Sequence, residues 1–375
     1  MKKSKIGVLI HGAGWVSTQH IAAYTNNPDT EIVAISSRTL EGAQARADGF
    51  GLDVPVFDNY EKALAAPGVE IVSVCTPQQY HADHVIAAAR AQKHIVIEKP
   101  ACQTLAELKR MQAAVNKARV KTIVSFVLRW NPLFQMLKRM TRDDTFGEIY
   151  AVETDYQSYC GDWWGGYPQG RTLAMGGSPF LTAGCHAIDA LRWFAAQDEH
   201  RAAEPTEVFA YQGGKRGQST RQYNPLTNDW HEGDPLEYPG LEMALVKFSN
   251  GVLGKVSTNF ECIQPYAFPI EIFGDKGTVK DSRVWSHKYP GQKDWIELPT
   301  ICPDNSDVSH HPFQGEIDHF VDCIRNDQES HCNLEDAAKT HEIVFGAFES
   351  YRTGQPVKLP LEIENPQSKI PNYNS

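Results

Sequence analysis

Three groups of residues in this chain have the types and the spacing that cofactor and proton-transfer chemistry requires. The glycine turn Gly12-Ala13-Gly14 follows the short apolar run Ile6–Ile10. Lys99 follows a second apolar run, His94–Ile97, and His186 lies further along the chain in a helical pattern. A glycine turn after a strand suits the pyrophosphate of a dinucleotide, an ammonium group stabilises a developing alkoxide, and an imidazole exchanges a proton. Together they indicate a dinucleotide cofactor with an amine beside its reactive ring.

The glycine turn predicts a phosphate site at the start of a helix. Gly12 would allow a tight turn, and Gly14 would let the backbone approach a pyrophosphate closely. The helix that follows, beginning near Trp15 and Val16, would point its N-terminus at the phosphates. Ser17 stands where the third glycine of the GxGxxG pattern would be and is small enough to fit. The same residues could also form a strand–turn–helix that binds no ligand.

The end of the second predicted strand bears on the choice between NAD and NADP. An acidic residue there would bind the ribose hydroxyls of NAD, but this chain has Ser36-Ser37-Arg38. Without a carboxylate, Ser37 and Arg38 would tolerate the 2′-phosphate of NADP, unless Arg38 stacks on adenine or faces solvent. The sequence leaves both cofactors open.

The elements that must position these groups fall into two regions. Residues 1–130 alternate Val- and Ile-rich apolar runs with helical patterns, which predicts a doubly wound α/β domain with a parallel sheet covered on both faces. The predicted strands are Lys5–His11, Glu31–Ser37, Val54–Phe57, Ile71–Thr76, His94–Glu98 and Thr122–Leu128. Helices are predicted over Tyr80–Gln92 and Leu105–Arg119, and Thr104 and Glu107 form a capping box at the start of the second.

Residues 131–375 have a different pattern of apolar runs. They predict a second α/β domain with a large, mostly antiparallel sheet for substrate binding and oligomerisation. Strands without intervening helices are expected at Ile149–Tyr159, Glu207–Gln212, Met243–Phe248, Val252–Phe260 and Pro269–Phe273. Helices are expected from Leu181 to about Ala196 and over Phe313–Asn326 and Leu334–Arg352, and the last two could pack back on the first domain. The polar stretch Gly213–Gly240 predicts a long surface loop.

The bulk properties narrow the class of protein. The 375 residues carry a net charge of −10, which argues against a nucleic-acid or anionic-membrane partner. No apolar run approaches the ~20 residues that a membrane span needs, and the start has no cleavable leader, which predicts a cytoplasmic protein. The eight cysteines form no CxxC pair and indicate reduced thiols. His81, His84 and His310-His311 lack the companion ligands of a metal site, so no metal is predicted.

Several motifs resemble those of the Gfo/Idh/MocA oxidoreductases, in which a TP…H…GKHVxxEKP pattern is followed by a GGGxLxDxGxHxxD helix. The resemblance covers nearly the whole chain. The residues that carry it are Cys75-Thr76-Pro77, Tyr80-His81, Lys93–Pro100, Arg129–Pro132, Gly176–Asp189 and Phe273–Thr278.

The resemblance implies an N-terminal Rossmann domain, a C-terminal α/β domain and oxidation or reduction of a carbohydrate or polyol by a nicotinamide cofactor without metal. It assigns the active-site lysine to Lys99 and the catalytic histidine to His186. It further implies that the sheet of the second domain forms homodimers or homotetramers. The residues that it places around the cofactor are Thr76, Pro77, His81, Glu98, Arg129 and Trp163.

His186 shows the sharpest departure from the family pattern. Thr182 stands four residues before it, where the family usually has an aspartate, and Asp189 stands three residues after it on the same predicted helix face. A threonine hydroxyl can hydrogen-bond but cannot stabilise an imidazolium as a carboxylate would. Asp189 could instead face the core. His186 itself could be a core histidine, and Lys99 could be a surface lysine.

An aromatic, glycine-rich stretch from Tyr159 to Arg171 suits a sugar ring. Aromatic faces pack against the C–H side of pyranoses, so Trp164 and Tyr167 are candidate substrate residues together with Arg171. Thr182, His186 and Lys99 complete the candidate substrate set. The aromatic residues could equally pack between domains or subunits.

These observations predict an NAD(P)-dependent oxidoreductase that acts on a ring secondary alcohol of a sugar, a sugar derivative or a polyol. One alternative is a redox glycosidase, which oxidises a ring carbon, eliminates the aglycone and reduces the ring again. The other alternative is a non-catalytic protein that only binds the cofactor. The presence of both Lys99 and His186 argues against the second alternative.

Overall fold

The computed structural model describes residues 4–159, 168–214, 221–224, 229–232, 236–299 and 312–362. The chain divides into two compact units. The first unit comprises residues 1–127 and 312–337, and the second comprises residues 128–311 and 338–375. The α-helices of the described residues are α1 Trp15–Asn26, α2 Leu40–Gly49, α3 Tyr60–Leu64, α4 His81–Arg90, α5 Leu105–Ala118, α6 Pro132–Met140, α7 Cys185–Ala195, α8 Phe313–Arg325 and α9 Leu334–Thr353.

The first unit contains the predicted parallel sheet. Its strands, over the described residues, are β1 Ile6–His11, β2 Thr30–Ser36, β3 Val56–Phe57, β4 Val69–Val74, β5 His94–Ile97 and β6 Thr122–Val124. They are ordered β3-β2-β1-β4-β5-β6, and every neighbouring pair is parallel. The order reverses between β1 and β4, and ligands of doubly wound sheets bind at such a reversal, outside the carboxyl ends of the strands.

Local sequence explains where the helices of this unit begin. Thr104 Oγ1 accepts a hydrogen bond from the Glu107 N–H at 3.2 Å, and Glu107 Oε2 accepts one from the Thr104 N–H at 3.0 Å, which confirms the predicted capping box of α5. Thr39 and Asn59 cap α2 and α3 with their side chains, which accept hydrogen bonds from the N–H groups of Gly42 and Lys62. Helix α8 packs on α1, where Asn27 Nδ2 donates to Asp318 at 2.7 Å.

The second unit is built on the predicted, mostly antiparallel sheet. Over the described residues it has the order β16-β15-β14-β13-β7-β12-β11-β8-β17, in which only β7 and β12 run parallel. The strands are β7 Ile149–Gln157, β8 Pro205–Gly213, β11 Leu241–Phe248, β12 Leu253–Asn259, β13 Ile270–Gly274, β14 Gly277–Lys280, β15 Arg283–Ser286, β16 Ile296–Glu297 and β17 Val357–Lys358. Helix α7 covers β7 and β12 on one face, and buried and exposed residues alternate along β11.

Two local features differ from the sequence prediction. The stretch predicted as a long loop contains β9, Arg221–Asn224, paired antiparallel with β10, Asp229–Glu232. Backbone pairing needs no apolar alternation, so the composition of this stretch did not reveal the strands. The helix predicted from Leu181 begins instead with a π-helical turn, Phe180–Gly184, which leads directly into α7.

Candidate active site

The glycine turn of the first unit has the geometry that a dinucleotide phosphate requires. Gly12 has φ +116°, and a Cβ placed on it would lie 2.4 Å from the Cys75 carbonyl oxygen, so no other residue fits. Gly14 has an ordinary φ of −70°, and a Cβ placed on it would meet no atom within 4 Å. The backbone beside Gly14 is therefore open on the side that a ligand would approach.

The helix that follows the turn begins without a side-chain cap. Helix α1 has Gly14 at its N-cap and no acidic residue in its first turn. Trp15 is 60% exposed and Val16 is half-buried, whereas Ser17 is buried and its Oγ donates to Gly14 O at 2.7 Å. Uncapped N–H groups at the positive end of a helix dipole bind anions, so these residues fit the pyrophosphate of a dinucleotide.

A second helix at the reversal point shares this feature. Helix α4, which follows β4, also begins without a side-chain cap, whereas α2, α3 and α5 are capped by Thr39, Asn59 and Thr104. The two uncapped helices thus follow the two strands that flank the reversal of strand order. The N–H of His81, the first residue of α4, donates to Gln78 O of the preceding 3₁₀ turn, so the open helix start at this reversal is that of α1.

Arg46 is a candidate cofactor residue that sequence reasoning missed. From α2, its Nη2 donates to Ala13 O at 2.7 Å and to Gly14 O at 3.2 Å, so a permanent positive charge lies on the glycine turn. No sequence pattern distinguishes Arg46, because its contact depends on how α2 packs. At the end of β2, Arg38 is exposed, and Ser37 Oγ donates to Thr39 O at 2.6 Å. No carboxylate stands at the end of β2.

His81 joins the loops that follow β4 and β5. Its ring nitrogens lie 2.7 Å from Thr76 O and 2.9 Å from Pro100 O, and the ring is buried. Burial lowers the pKa of His81, so the neutral ring donates to one of these carbonyls at a time. Thr76 is half-buried and Pro77 is exposed beside it. His81 thus ties the loop of Thr76 and Pro77 to the loop of Lys99.

Lys99 directly follows a buried ion pair. Glu98 Oε1 lies 2.8 Å from His20 Nε2, and Glu98 Oε2 accepts a hydrogen bond from the Lys99 N–H at 3.1 Å. Burial alone would raise the pKa of Glu98, but the hydrogen bond from His20 and the charges of His20 and Lys99 hold it below its usual range. The backbone of Lys99 is therefore fixed from the interior, and its side chain is half-buried.

In the second unit, His186 is the second residue of α7 and is 4% exposed. Thr182 lies in the π-helical turn, and its Oγ1 donates to Gly176 O at 2.6 Å. The hydroxyl at the position of the family aspartate is thus engaged by the loop that precedes the turn. Gly176 is packed against Gly170 and Tyr238, which fixes that loop in turn.

Asp189 faces the interior, where it pairs with Arg129. Arg129 Nε donates to Asp189 Oδ2 at 2.7 Å, the guanidinium lies over the Trp193 ring at 4.7 Å, and both charged side chains are buried. Thr340 Oγ1 donates to the same carboxylate at 3.2 Å. The ion pair therefore accounts for the burial of Arg129 and anchors α7 one turn beyond His186.

The remaining candidates are only partly placed. Arg171 is buried at the end of the 3₁₀ turn Pro168–Arg171, and its carbonyl accepts from the Glu237 N–H at 2.9 Å. Trp163, Trp164, Tyr167 and His310-His311 lie outside the described residues.

Within the described part of the chain, no cluster of His, Cys, Asp and Glu could hold a metal ion. No helix in that part is long and apolar enough to cross a membrane.

Comparison with known families agrees with the fold and with these motifs. Residues 6–126 match the family described as "Oxidoreductase family, NAD-binding Rossmann fold", and residues 138–359 match "Oxidoreductase family, C-terminal alpha/beta domain". The chain therefore belongs to the Gfo/Idh/MocA family of oxidoreductases, and its first unit contains an NAD-binding Rossmann fold.

Relatives align over nearly their whole length. D-Glucoside 3-dehydrogenase of Escherichia coli K12 is 24% identical over 96% of this chain and 99% of its own. scyllo-Inositol 2-dehydrogenase (NAD⁺) of Bacillus subtilis 168 is 26% identical over 90% of this chain and 91% of its own. The structure of levoglucosan dehydrogenase with NADH and L-sorbose superposes with a TM-score of 0.80, 21% identity and coverage of 96% and 100%.

Proposed function

We propose that this protein is a dehydrogenase that transfers a hydride between a nicotinamide dinucleotide and a ring secondary alcohol of a sugar, a sugar derivative or a polyol. The observation that carries the proposal is the open glycine turn at the uncapped start of α1, in a chain that also holds Lys99 and His186. The relatives named as glucoside, inositol and levoglucosan dehydrogenases support the substrate class.

The two candidate catalytic residues divide the proton chemistry. The bound nicotinamide supplies the hydride acceptor. When the alcohol carbon loses its hydride, the hydroxyl oxygen loses a proton, and the imidazole of His186 accepts it as general base. The ammonium group of Lys99 stabilises the negative charge that develops on that oxygen. In the reverse direction His186 returns the proton, so the same residues serve oxidation and reduction.

The end of β2 supports use of either NAD or NADP. No carboxylate is present there to repel a 2′-phosphate, and Arg38 and Arg46 supply positive charge near the glycine turn. The cofactor residues that we propose are Gly12, Gly14, Trp15, Val16, Ser37, Arg38, Arg46, Thr76, Pro77, His81, Glu98, Lys99, Arg129 and Trp163. The substrate residues that we propose are Lys99, Trp164, Tyr167, Arg171, Thr182 and His186.

The open face of the second-unit sheet supports a homo-oligomer. Tyr211, Met243, Leu245 and Leu253 are 64%, 45%, 60% and 56% exposed, and they lie side by side on β8, β11 and β12. Apolar side chains clustered on a sheet face mark an interaction surface. We also propose a cytoplasmic location, because the described cysteines are reduced thiols that form no disulfide, as in reducing compartments.

The test is absorbance at 340 nm with NAD or NADP supplied in turn against free sugars, polyols and nitrophenyl glycosides. Rising absorbance with one sugar would establish the dehydrogenase and choose the cofactor. Aglycone release that requires cofactor but leaves the absorbance unchanged would establish the redox glycosidase instead.

Lys99→Ala separates catalysis from cofactor binding. We expect turnover to fall by about 10³-fold, because the charge that stabilises the alkoxide is lost. The cofactor dissociation constant, measured by protein fluorescence, should change little. Equal loss of binding and turnover would contradict the role proposed for Lys99.

A further inference from the structure

We propose that Glu242 is a positioning residue for His186: its carboxylate holds the start of the helical segment that carries this histidine. The inference rests on the proposed function, since it assumes that His186 takes part in the reaction. Glu242 lies on β11, is completely buried and is far from His186 in sequence. A buried carboxylate of this kind requires partners for its oxygens.

Among the described residues, Glu242 accepts hydrogen bonds from the segment that leads into α7 and from α9. Its Oε2 accepts hydrogen bonds from the Phe180 N–H at 2.6 Å and from the Ser178 hydroxyl at 3.0 Å. Its Oε1 accepts one from the Tyr351 hydroxyl of α9 at 3.0 Å. Phe180 begins the π-helical turn, so the carboxylate binds the N–H end of the segment, where the helix dipole favours negative charge.

The π-helical turn makes the position of His186 sensitive to this anchor. The turn spans Phe180–Gly184, and His186 is the second residue of the α-helix that continues it. A π-helical turn has a wider hydrogen-bond repeat than an α-helix, so it sets the direction in which the following side chains point. If Phe180 moved, the rotation of the turn and the aim of His186 would change together.

The turn is also pressed against the neighbouring strand. A Cβ placed on Gly184 would lie 2.0 Å from Thr258 Oγ1, so the glycine lets the turn contact β12 directly. Thr258 pairs with Glu242 across β12 and β11. The same patch of sheet therefore holds both ends of the turn, one by a carboxylate and the other by close packing.

The environment of Glu242 contributes hydrogen bonds rather than opposite charge. Across the strands it pairs with Gln212 of β8 and Thr258 of β12, and from α9 it meets Tyr351. The charged side chains Glu207, Lys247 and Lys255 of these strands form ion pairs on the opposite face of the sheet.

On α7, the titratable and charged groups are Cys185, His186, Asp189 and Arg192, and the Cys185 thiol is buried. Asp189 is paired with Arg129, and Arg192 donates to Ala203 O at 3.1 Å and to Thr340 Oγ1 at 2.9 Å. His186 is thus the one ionisable group on α7 with a direct part in the proposed reaction.

Burial makes the anchor dependent on pH. Desolvation raises the pKa of Glu242 to about 7, although the hydrogen bonds from Phe180, Tyr351 and Ser178 lower it. Above pH 7 the carboxylate accepts all three hydrogen bonds. Below pH 7 a proton occupies one oxygen, and the hold on the turn weakens.

The experiment compares kcat of the wild type with that of Glu242→Gln at two pH values, using the substrate found in the absorbance screen. The ratio of the two kcat values cancels any ionisation that both proteins share, including that of His186. We expect a ratio of at least about 10 near pH 8.5, because loss of the anchor misaligns the imidazole. The ratio should fall to about 2 near pH 5.5, where wild-type Glu242 is itself protonated.

Two readouts do not depend on turnover. The cofactor dissociation constant should stay within about twofold in Glu242→Gln, because the cofactor residues proposed around the glycine turn are not altered. The backbone N–H resonance of Phe180, which donates directly to Glu242, should show an inflection near pH 7 in the wild type. The Glu242→Gln variant should lack that inflection.

Three further variants complete the test. Glu349→Gln changes a half-buried carboxyl on α9 that pairs with Arg352; it is the charge control and should leave kcat unchanged. Glu242→Asp retains the charge and should keep the pH dependence of the ratio. Tyr351→Phe removes a hydrogen bond that lowers the pKa of Glu242, so the inflection should move to higher pH, which tests the proposal even if Glu242→Gln does not fold.

A ratio that is the same at both pH values, or below about 2 throughout, would overturn the role of Glu242. The His186→Gln variant separates the two hypotheses. If that variant keeps full turnover, the proposed function fails. If it is inactive while Glu242→Gln behaves as the wild type, only the positioning role fails.

Discussion

At the scale of single residues, each proposed catalytic side chain has a buried ion pair as its neighbour. Lys99 follows Glu98, which pairs with His20, and His186 precedes Asp189, which pairs with Arg129. Removing one member of the Arg129–Asp189 pair would leave an uncompensated buried charge and cost about 3–5 kcal/mol. The pairs therefore hold the backbone near each proposed catalytic residue from the protein interior.

The buried carboxyl of Glu316 predicts how the stability of the protein changes with pH. It lies on α8, is completely buried, and burial together with the charge of Glu98 raises its pKa well above the usual range. The folded protein then binds a proton that the unfolded chain releases above about pH 4.5, so stability falls as the pH rises. In Glu316→Gln this loss is absent. The unfolding free energy of the variant minus that of the wild type should therefore increase by about 1.4 kcal/mol for each unit by which the pH is raised.

Urea unfolding of both proteins at about pH 5, 6 and 7 measures this difference. Asp322→Asn, which removes an exposed carboxyl from the same helix, is the control. If the difference between the two unfolding free energies stayed the same at all three pH values, Glu316 would be ionised in the folded protein.

At the scale of elements, the first strand–turn–helix unit separates two roles of glycine. Gly12 needs both its positive φ and its lack of a side chain, because Cys75 O lies where a Cβ would be. Gly14 has an ordinary φ and open space around it, so the fold itself does not require glycine there. We propose that the open space at Gly14 is where the dinucleotide approaches the start of α1.

Gly14→Ala and Gly12→Ala should therefore fail in different ways. We expect Gly14→Ala to keep the melting temperature of the wild type but to bind the dinucleotide at least about tenfold more weakly, because the new methyl group occupies the approach to the helix N-terminus. Gly12→Ala should lower the melting temperature, since the backbone must shift. Calorimetry with and without cofactor distinguishes the two, and equal loss of stability in both variants would contradict this account.

At the scale of the whole molecule, the two units differ in how they cover their sheets. The parallel sheet of the first unit is buried, whereas the sheet of the second unit exposes one face with large apolar side chains. Leu245 is central on that face, between Phe209 of β8 and Lys255 of β12.

Leu245→Glu tests the proposed assembly. The new carboxylate would be buried among apolar side chains of the partner subunit, which is costly. We therefore expect the molar mass measured by light scattering to fall below that of the wild-type oligomer. The melting temperature of the released subunit gives its own stability. Ile263→Glu, which changes a side chain that is 93% exposed in a loop, is the control and should keep the wild-type mass. An unchanged mass in Leu245→Glu would place the interface elsewhere or show a monomer.

The sequence by itself determined the two kinds of sheet, the glycine turn, the capping box and the family, because each rests on short-range patterns. Period-two and continuous apolar runs report which strand faces are buried, and turn and cap residues act within a few positions. The motif around Lys99 is contiguous and could be recognised without a structure. The residues of the glycine turn needed only their immediate neighbours to be interpreted.

Only the tertiary structure decided which distant side chains support those motifs. Arg46 on the glycine turn, Glu242 on the π-helical turn and Glu316 beside Glu98 are brought to their places by packing between elements far apart in the chain. No local pattern marks them, because a buried carboxylate and an exposed one look alike in sequence. Their partners and their desolvation, which set charge and geometry, exist only once the chain has folded.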